Sequence, residues 1–273
     1  MTFALFTLIN LAVALGLMAQ LWLISVIRKD ASVVDPFWGA GFAVLAVVSA
    51  LMVDAPDARV WLLMGMVVIW GSRLSFYLTI RNHGKGEDRR YVAMREKQGD
   101  RFWWYSLFSV FFLQGAIMWF VSLPIQAGMF YAAGLPLGLL DALWGSVWLI
   151  GFLFESVGDY QMARFKSDPG NHGKVMDRGL WGLTRHPNYF GDFMIWWGHY
   201  LVACAAGVWW TLLSPVLMSF LLIKVSGVAL LEKDIAERRP GYRDYIRSTN
   251  AFFPGPRRSA GGKDFNHDVG SEG

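Results

Sequence analysis

The chain has 273 residues, of which 55% are apolar and only 17% charged, with a net charge of +4 and 14 tryptophans. Soluble domains carry roughly a quarter charged residues, so this composition, with a mean hydropathy of +0.35, excludes a disordered chain and an ordinary soluble enzyme. The single cysteine, Cys204, excludes an intramolecular disulfide and a multi-cysteine metal site.

The apolar residues fall into blocks of about 20, the length that crosses a bilayer. In chain order, blocks at 3–27, 33–53, 60–81, 103–123, 137–160, 189–207 and 209–231 predict seven transmembrane helices. The first block lacks a basic start and is followed by Arg28-Lys29, so it reads as a retained helix and not as a signal peptide. Of the 25 Lys and Arg residues, 23 fall within 28–30, 81–101, 161–187 and the segment from 224 onward. Arg59 stands alone in the alternate loops, which include 124–136, and Arg73 sits within a span. Basic excess marks the cytoplasmic side, so the N-terminus is expected outside and the C-terminus in the cytoplasm. The fold expected is therefore all-α: one seven-helix membrane domain over 1–254, then a polar, glycine-rich, flexible tail over 255–273.

Polar groups inside spans are costly, so they nominate the site. Asp35 precedes Pro36 at the start of the second span, where it reads equally as a helix N-cap or as a functional acid. On the third helix, Trp70, Arg73, Tyr77 and Arg81 share one face, a stripe suited to the wall of a polar cavity. Glu155 and Asp159 stand one turn apart on the fifth helix and require a hydrogen-bond donor opposite them, with Met162 and Lys166 continuing their face. The densest constellation is Gly179-Leu180-Trp181-Gly182-Leu183-Thr184-Arg185-His186-Pro187-Asn188-Tyr189-Phe190-Gly191-Asp192. Pro187 is placed to open the sixth helix, which puts Asn188, Asp192, Trp196 and His199 on one face. A helix start with Arg185 and Lys174 beside it is attractive to phosphate. The chain has no His-x-x-x-His or comparable zinc spacing, no Gly-x-Gly-x-x-Gly after a strand, no Walker loop and no Gly-x-Ser-x-Gly elbow. No metal and no nucleic-acid partner is expected.

The run Gly179–Asp192, with Lys224-Val225-Ser226-Gly227-Val228-Ala229-Leu230-Leu231-Glu232-Lys233, Arg239-Pro240-Gly241-Tyr242-Arg243-Asp244-Tyr245 and Ala251-Phe252-Phe253-Pro254, resembles the C-terminal half of the steroid 5α-reductase family, in its bacterial branch. The match is closest over 140–254 and looser over the first three spans. The resemblance implies a monomeric seven-helix reductase of the bacterial inner membrane, holding NADPH in a bundle open to the cytoplasm. It implies hydride transfer to the C=C bond of a lipid enone such as a Δ4-3-ketosteroid. Asn188, Asp192 and Asp159 match residues that line the NADPH site, and Glu155 stands where the family has Asn. Arg73 and Arg81 approximate basic residues of the third helix, and Lys166 and Lys174 replace arginines near the phosphates. The resemblance also sets Arg185, His186, Glu232, Tyr242 and Tyr245 at the cofactor. The family's catalytic Glu is best matched by Asp35 and its catalytic Tyr by Trp70, with Tyr77 two turns away on the same face.

Hydride delivered to the β-carbon of an enone leaves negative charge on the carbonyl oxygen, which needs a donor in a dry site. A carboxylic acid held protonated by an apolar bundle can serve. Asp35 is that candidate, with Tyr77 or the Trp70 indole as second donor. Two other readings are open. Arg185-His186-Pro187-x-Tyr189-x-Gly191 also resembles the SAM-dependent isoprenylcysteine and phospholipid methyltransferases, although Asn188 and Asp192 favour the reductases. A non-enzymatic membrane carrier would place polar groups near the midplane, whereas these gather at the cytoplasmic ends.

Overall fold

In the computed structural model, residues 1–132, 136–225 and 241–258 are described, and every element among them is helical. The order is α1 Phe3–Arg28, α2 Val34–Leu51, α3 Ala58–Asn82, α4 Arg89–Gln98, α5 Phe102–Ser106, α6 Leu113–Val121, α7 Leu123–Tyr131, α8 Leu139–Ser167, α9 Pro187–Cys204, α10 Leu213–Phe220 and α11 Tyr242–Ser248. A π-helical segment, Leu107–Phe112, joins α5 to α6, and a second, Leu221–Val225, follows α10. Among the described residues, five helices are long and apolar enough to cross a membrane: Phe3–Arg28, Ala31–Leu51, Ala58–Asn82, Arg89–Val121 and Leu139–Ser167. At the sixth and seventh expected places lie α9, with its polar residues, and the shorter apolar helix Trp209–Val225.

By their contacts the residues form two compact units, Met1–Phe152 with Phe193–Phe220, and Leu153–Asp192 with Leu221–Gly273. In the first unit α2 and α3 pack most extensively. They meet at Gly39 and Gly71, where a methyl group on either would collide with the other's carbonyl oxygen. The Ala40 N–H donates to Ser75 Oγ (2.7 Å) across the same crossing. Buried polar residues fix α1. Ser49 Oγ donates to Asn10 Oδ1 (3.1 Å), and Thr7 Oγ1 donates to Gln126 Oε1 (2.8 Å). Trp119 Nε1 in turn donates to Thr7 Oγ1 at 2.8 Å. A satisfied network of this kind stabilises one arrangement of helices over its alternatives.

Three sequence expectations are corrected. The segment 124–136 is not simply a loop, because it begins with α7, whose Ile125, Gln126, Ala127 and Met129 are buried and whose Gln126 is part of that network. The basic loop 81–101 contains α4, capped by Asp88, which accepts from the Arg90 N–H at 2.9 Å. Burial works to raise the Asp88 carboxyl, but the hydrogen bonds from the Arg90 side chain and backbone hold it below the ordinary carboxylate range. The tail expected from residue 255 starts anchored: Gly255 N–H donates to the Leu183 carbonyl (3.0 Å), Arg258 N–H to that of Ser248 (2.9 Å), and Arg257 pairs with Asp177 at 2.8 Å. The rest of that tail, 259–273, lies outside the described residues.

Candidate functional site

In the second unit, the Gly179–Asp192 run owes its shape to three sets of hydrogen bonds. Trp181 Nε1 donates to the Gly158 carbonyl on α8 (2.9 Å), and Leu180 N–H donates to Gln161 Oε1 (3.0 Å). Thr184 Oγ1 donates to the Phe252 carbonyl (2.8 Å), and Arg185 N–H to that of Asn250 (2.9 Å). Tyr245 OH donates to the Trp181 carbonyl at 2.6 Å. Pro187 then opens α9, as its fixed φ and missing N–H favour.

Close approach of α8 and α9 within this unit requires Gly158, since a Cβ there would meet Asn188 N and Pro187 Cγ at 3.3 Å. The approach brings Asn188 Nδ2 to Asp159 Oδ1 at 3.3 Å, so the sixth helix supplies the donor that the acidic stripe requires. Glu155 and Asp159 are 4% and 5% exposed, which excludes a pair of acids merely solvated at the membrane edge. His186 is buried and stacks on Tyr189 with centroids 5.7 Å apart. The Asn188 Oδ1 atom is buried with no hydrogen-bond partner among the described residues.

Two residues assigned to the cofactor are engaged in holding the fold. Arg185 Nη1 donates to the carbonyls of Thr249 (2.7 Å) and Ile246 (3.1 Å), closing the C-terminal end of α11, where a cation is favoured. Tyr245 is the strut to Trp181. Burial first, and neighbouring Tyr242 second, raise its phenol well above the ordinary range, so it stays protonated as that bond requires. Tyr242 is buried against Tyr245, with ring centroids 5.6 Å apart. Lys166 and Lys174 are exposed, and Asp192 is partly buried on α9. Glu232 lies outside the described residues.

In the first unit the third-helix stripe is assembled as its spacing implies. The Tyr77 ring lies between two guanidinium groups, Arg73 at 5.6 Å and Arg81 at 5.7 Å from its centroid. Trp70 is buried beside Phe42 and Trp196, with ring centroids 5.8 Å and 5.2 Å away. The N-cap reading of Asp35 is overturned. Asp30 caps the preceding turn, accepting from Ser32 N–H at 2.9 Å, while Asp35 sits inside the first turn of α2. Its carboxylate accepts from Arg90 Nη2 (2.7 Å) and from the Tyr91 hydroxyl (2.8 Å). Both carboxyl oxygens of Asp35 thus act as acceptors in this cluster. The turn before Asp35 lines a cleft of about 370 Å³ with Arg28, Thr79, Asn82 and His83. Sequence reasoning missed Arg90 and Tyr91 because they were read only as part of a basic loop. The signal available was Asp88, a helix cap directly before them.

The family model described as "Protein of unknown function (DUF1295)" matches residues 21–249. An uncharacterized protein of Schizosaccharomyces pombe, C594.04c, is 26% identical over 263 residues, spanning 86% of this chain and 75% of that protein. No solved structure matches.

Proposed function

We propose that this chain, which belongs to the DUF1295 family, is an NADPH-dependent membrane reductase of lipid enones, Δ4-3-ketosteroids being the substrate class that suits it best. The observation that carries the reading is the partly buried Asn188 amide: its Nδ2 is held by Asp159, and its Oδ1, a buried atom, has no partner among the described residues. An orphaned buried acceptor is costly, and a carboxamide N–H such as that of nicotinamide complements it. Glu155 and Asp192 would complete the hold on the cofactor, Lys166 and Lys174 would meet its phosphates from the exposed side, and Arg185 would keep the segment in place. NADPH supplies the hydride. The chain's own task is to donate to the carbonyl oxygen of the enone as charge develops there. Tyr91, oriented by Asp35, is the donor best prepared for that, and Tyr77 between its two arginines is the second.

The test is NADPH binding by the purified full-length protein. Asn188→Ala is expected to weaken it at least about tenfold, the effect of losing a hydrogen-bonding amide whose acceptor atom is shielded from water, while the melting temperature changes little. Unchanged affinity, or tighter binding of SAM than of NADPH, would favour the methyltransferase reading instead.

Seven crossings with a cytoplasmic C-terminus are part of the same proposal, and the asymmetry of Lys and Arg supports them. A reporter fused after Pro254 should be cytoplasmic, and one inserted between Asp54 and Ala55, both exposed, should be external. Both on the same side would defeat that topology.

A further inference from the structure

In the first unit, a cleft of about 250 Å³ lies where the C-terminal end of α1 meets α4 and α5. The proposed reaction uses none of its residues. Its walls are apolar, from Val26, Phe102 and Trp103, and its two charged groups, Lys29 and Arg95, are both cations. Lys29 directly follows the apolar block 3–27, and Trp103 opens the block 103–123. The cleft therefore sits at the level where phospholipid headgroups meet their chains. Trp22 fixes one wall, donating from Nε1 to the Trp103 carbonyl at 2.6 Å with the two rings 6.3 Å apart.

The cations are set in place by different means. Arg95 donates from Nε and Nη2 to the two oxygens of Glu87 (3.0 Å and 2.8 Å) and lies 4.4 Å over the Phe102 ring, so Nη1 is left for a ligand. Lys29 is the one non-glycine residue with positive φ among the described residues, at 53°, and it ends α1. Glycine is the ordinary residue for that conformation. The helix dipole does not account for the choice, because Arg28 already places a cation in the last turn. Glu87 balances Arg95, which leaves the single charge of Lys29 in excess and matches one phosphodiester. The buried Ser25 and Ser106 donate their hydroxyl hydrogens to the carbonyls of Trp22 (2.8 Å) and Trp103 (3.0 Å). They offer the cleft acceptors only, which suits a headgroup bearing hydroxyls of its own.

We infer that this cleft binds an anionic glycerophospholipid, its phosphodiester between Lys29 and Arg95 and its acyl chain against Val26 and Trp103. A zwitterionic headgroup would bring a second cation beside Lys29 and is disfavoured.

The probe is dioleoyl-phosphatidylglycerol, titrated into the full-length protein in neutral detergent and followed by native mass spectrometry. Dioleoyl-phosphatidylcholine, with the same chains, is the reference, and glycerophosphoglycerol is the headgroup without chains. Wild type should prefer phosphatidylglycerol by at least about fivefold, the effect of one basic residue beside an anionic headgroup. Equal binding of the two lipids would overturn the inference. Glycerophosphoglycerol should not displace the lipid at equal concentration; if it does, the cleft is a site for free phosphodiesters and the lipid is excluded. Lys29→Gly removes the charge and relieves the backbone, so the melting temperature should hold or rise while the preference falls below about twofold. An undiminished preference in that variant would also overturn the inference. Trp103→Ala keeps the carbonyl that Trp22 uses, and it should weaken both lipids by a similar factor, about fivefold, with the preference retained. Unchanged affinity for both would mean that no chain lies in the cleft, which defeats the proposal even if Lys29→Gly fails to fold.

Discussion

Arg59→Ala is expected to lower stability by about 3 kcal/mol, measured by SDS titration in mixed micelles, whereas Arg59→Met combined with Asp141→Leu should recover most of the loss. Arg59 Nε and Nη2 grip the two oxygens of Asp141, each at 2.8 Å, and Nη2 also reaches the Pro136 carbonyl at 3.0 Å. Both side chains are only 3% exposed. Removing one partner strands a buried charge, which is what makes a single substitution costly, while an apolar pair of similar size has no charge to strand. The expected loss lies at the low end for buried pairs because both residues sit in the first turns of their helices, α3 and α8. Arg59 occupies a helix N-terminus that disfavours a cation, and Asp141 offsets this. If the single and double variants are equally destabilised, packing and not charge holds these helix ends together.

Asp35→Leu should reduce single-turnover NADPH oxidation with a Δ4-3-ketosteroid by about 10²–10³, the effect of losing one oriented donor to an oxyanion. It acts through Tyr91, whose hydroxyl loses the carboxylate that aims it. Asp35→Asn retains an acceptor oxygen and should lose less, about tenfold, mostly from the unbalanced Arg90 charge. Tyr91→Phe should match Asp35→Leu, and NADPH affinity should survive in all three. A purely structural Asp35, tying α4 to α2, would instead lower the melting temperature and leave the rate of the folded fraction unchanged. Full activity in folded Asp35→Leu would end the assignment and move the donor to Tyr77.

Helices α1, α2, α3 and α8 start and end within a few residues of the apolar blocks, apart from the C-terminal end of α8, since burying a backbone in lipid leaves a chain little choice but helix. The Tyr77 stripe and the Asp159 donor were legible because they follow from helical spacing and from the rule that buried charges need partners. What could not be read were partners distant in sequence. Nothing local marks Asp141 as the mate of Arg59, 82 positions earlier, or Tyr91 as that of Asp35. Arg185 misled for a related reason: a basic residue at a helix start suggests phosphate, but a returning C-terminal segment reaches it first with its own carbonyls. The buried state of His199 was equally hidden, since periodicity placed it beside Trp196 without showing how completely α8 closes over it.

The π-helical segment between α5 and α6 bears on how length can vary in this family. A π turn holds one residue more than an α turn, so Leu107–Phe112 contains a residue that the helix does not need in order to stay continuous. Deleting one residue there returns the backbone to α geometry, while Trp103 before it and Met118 and Trp119 after it keep the directions they face. The same deletion within α2 would rotate everything beyond it by about 100° and carry Gly39 away from Gly71, with no slack to absorb the change. Single-residue gaps in aligned members should therefore collect at this turn and be absent from the α2–α3 crossing.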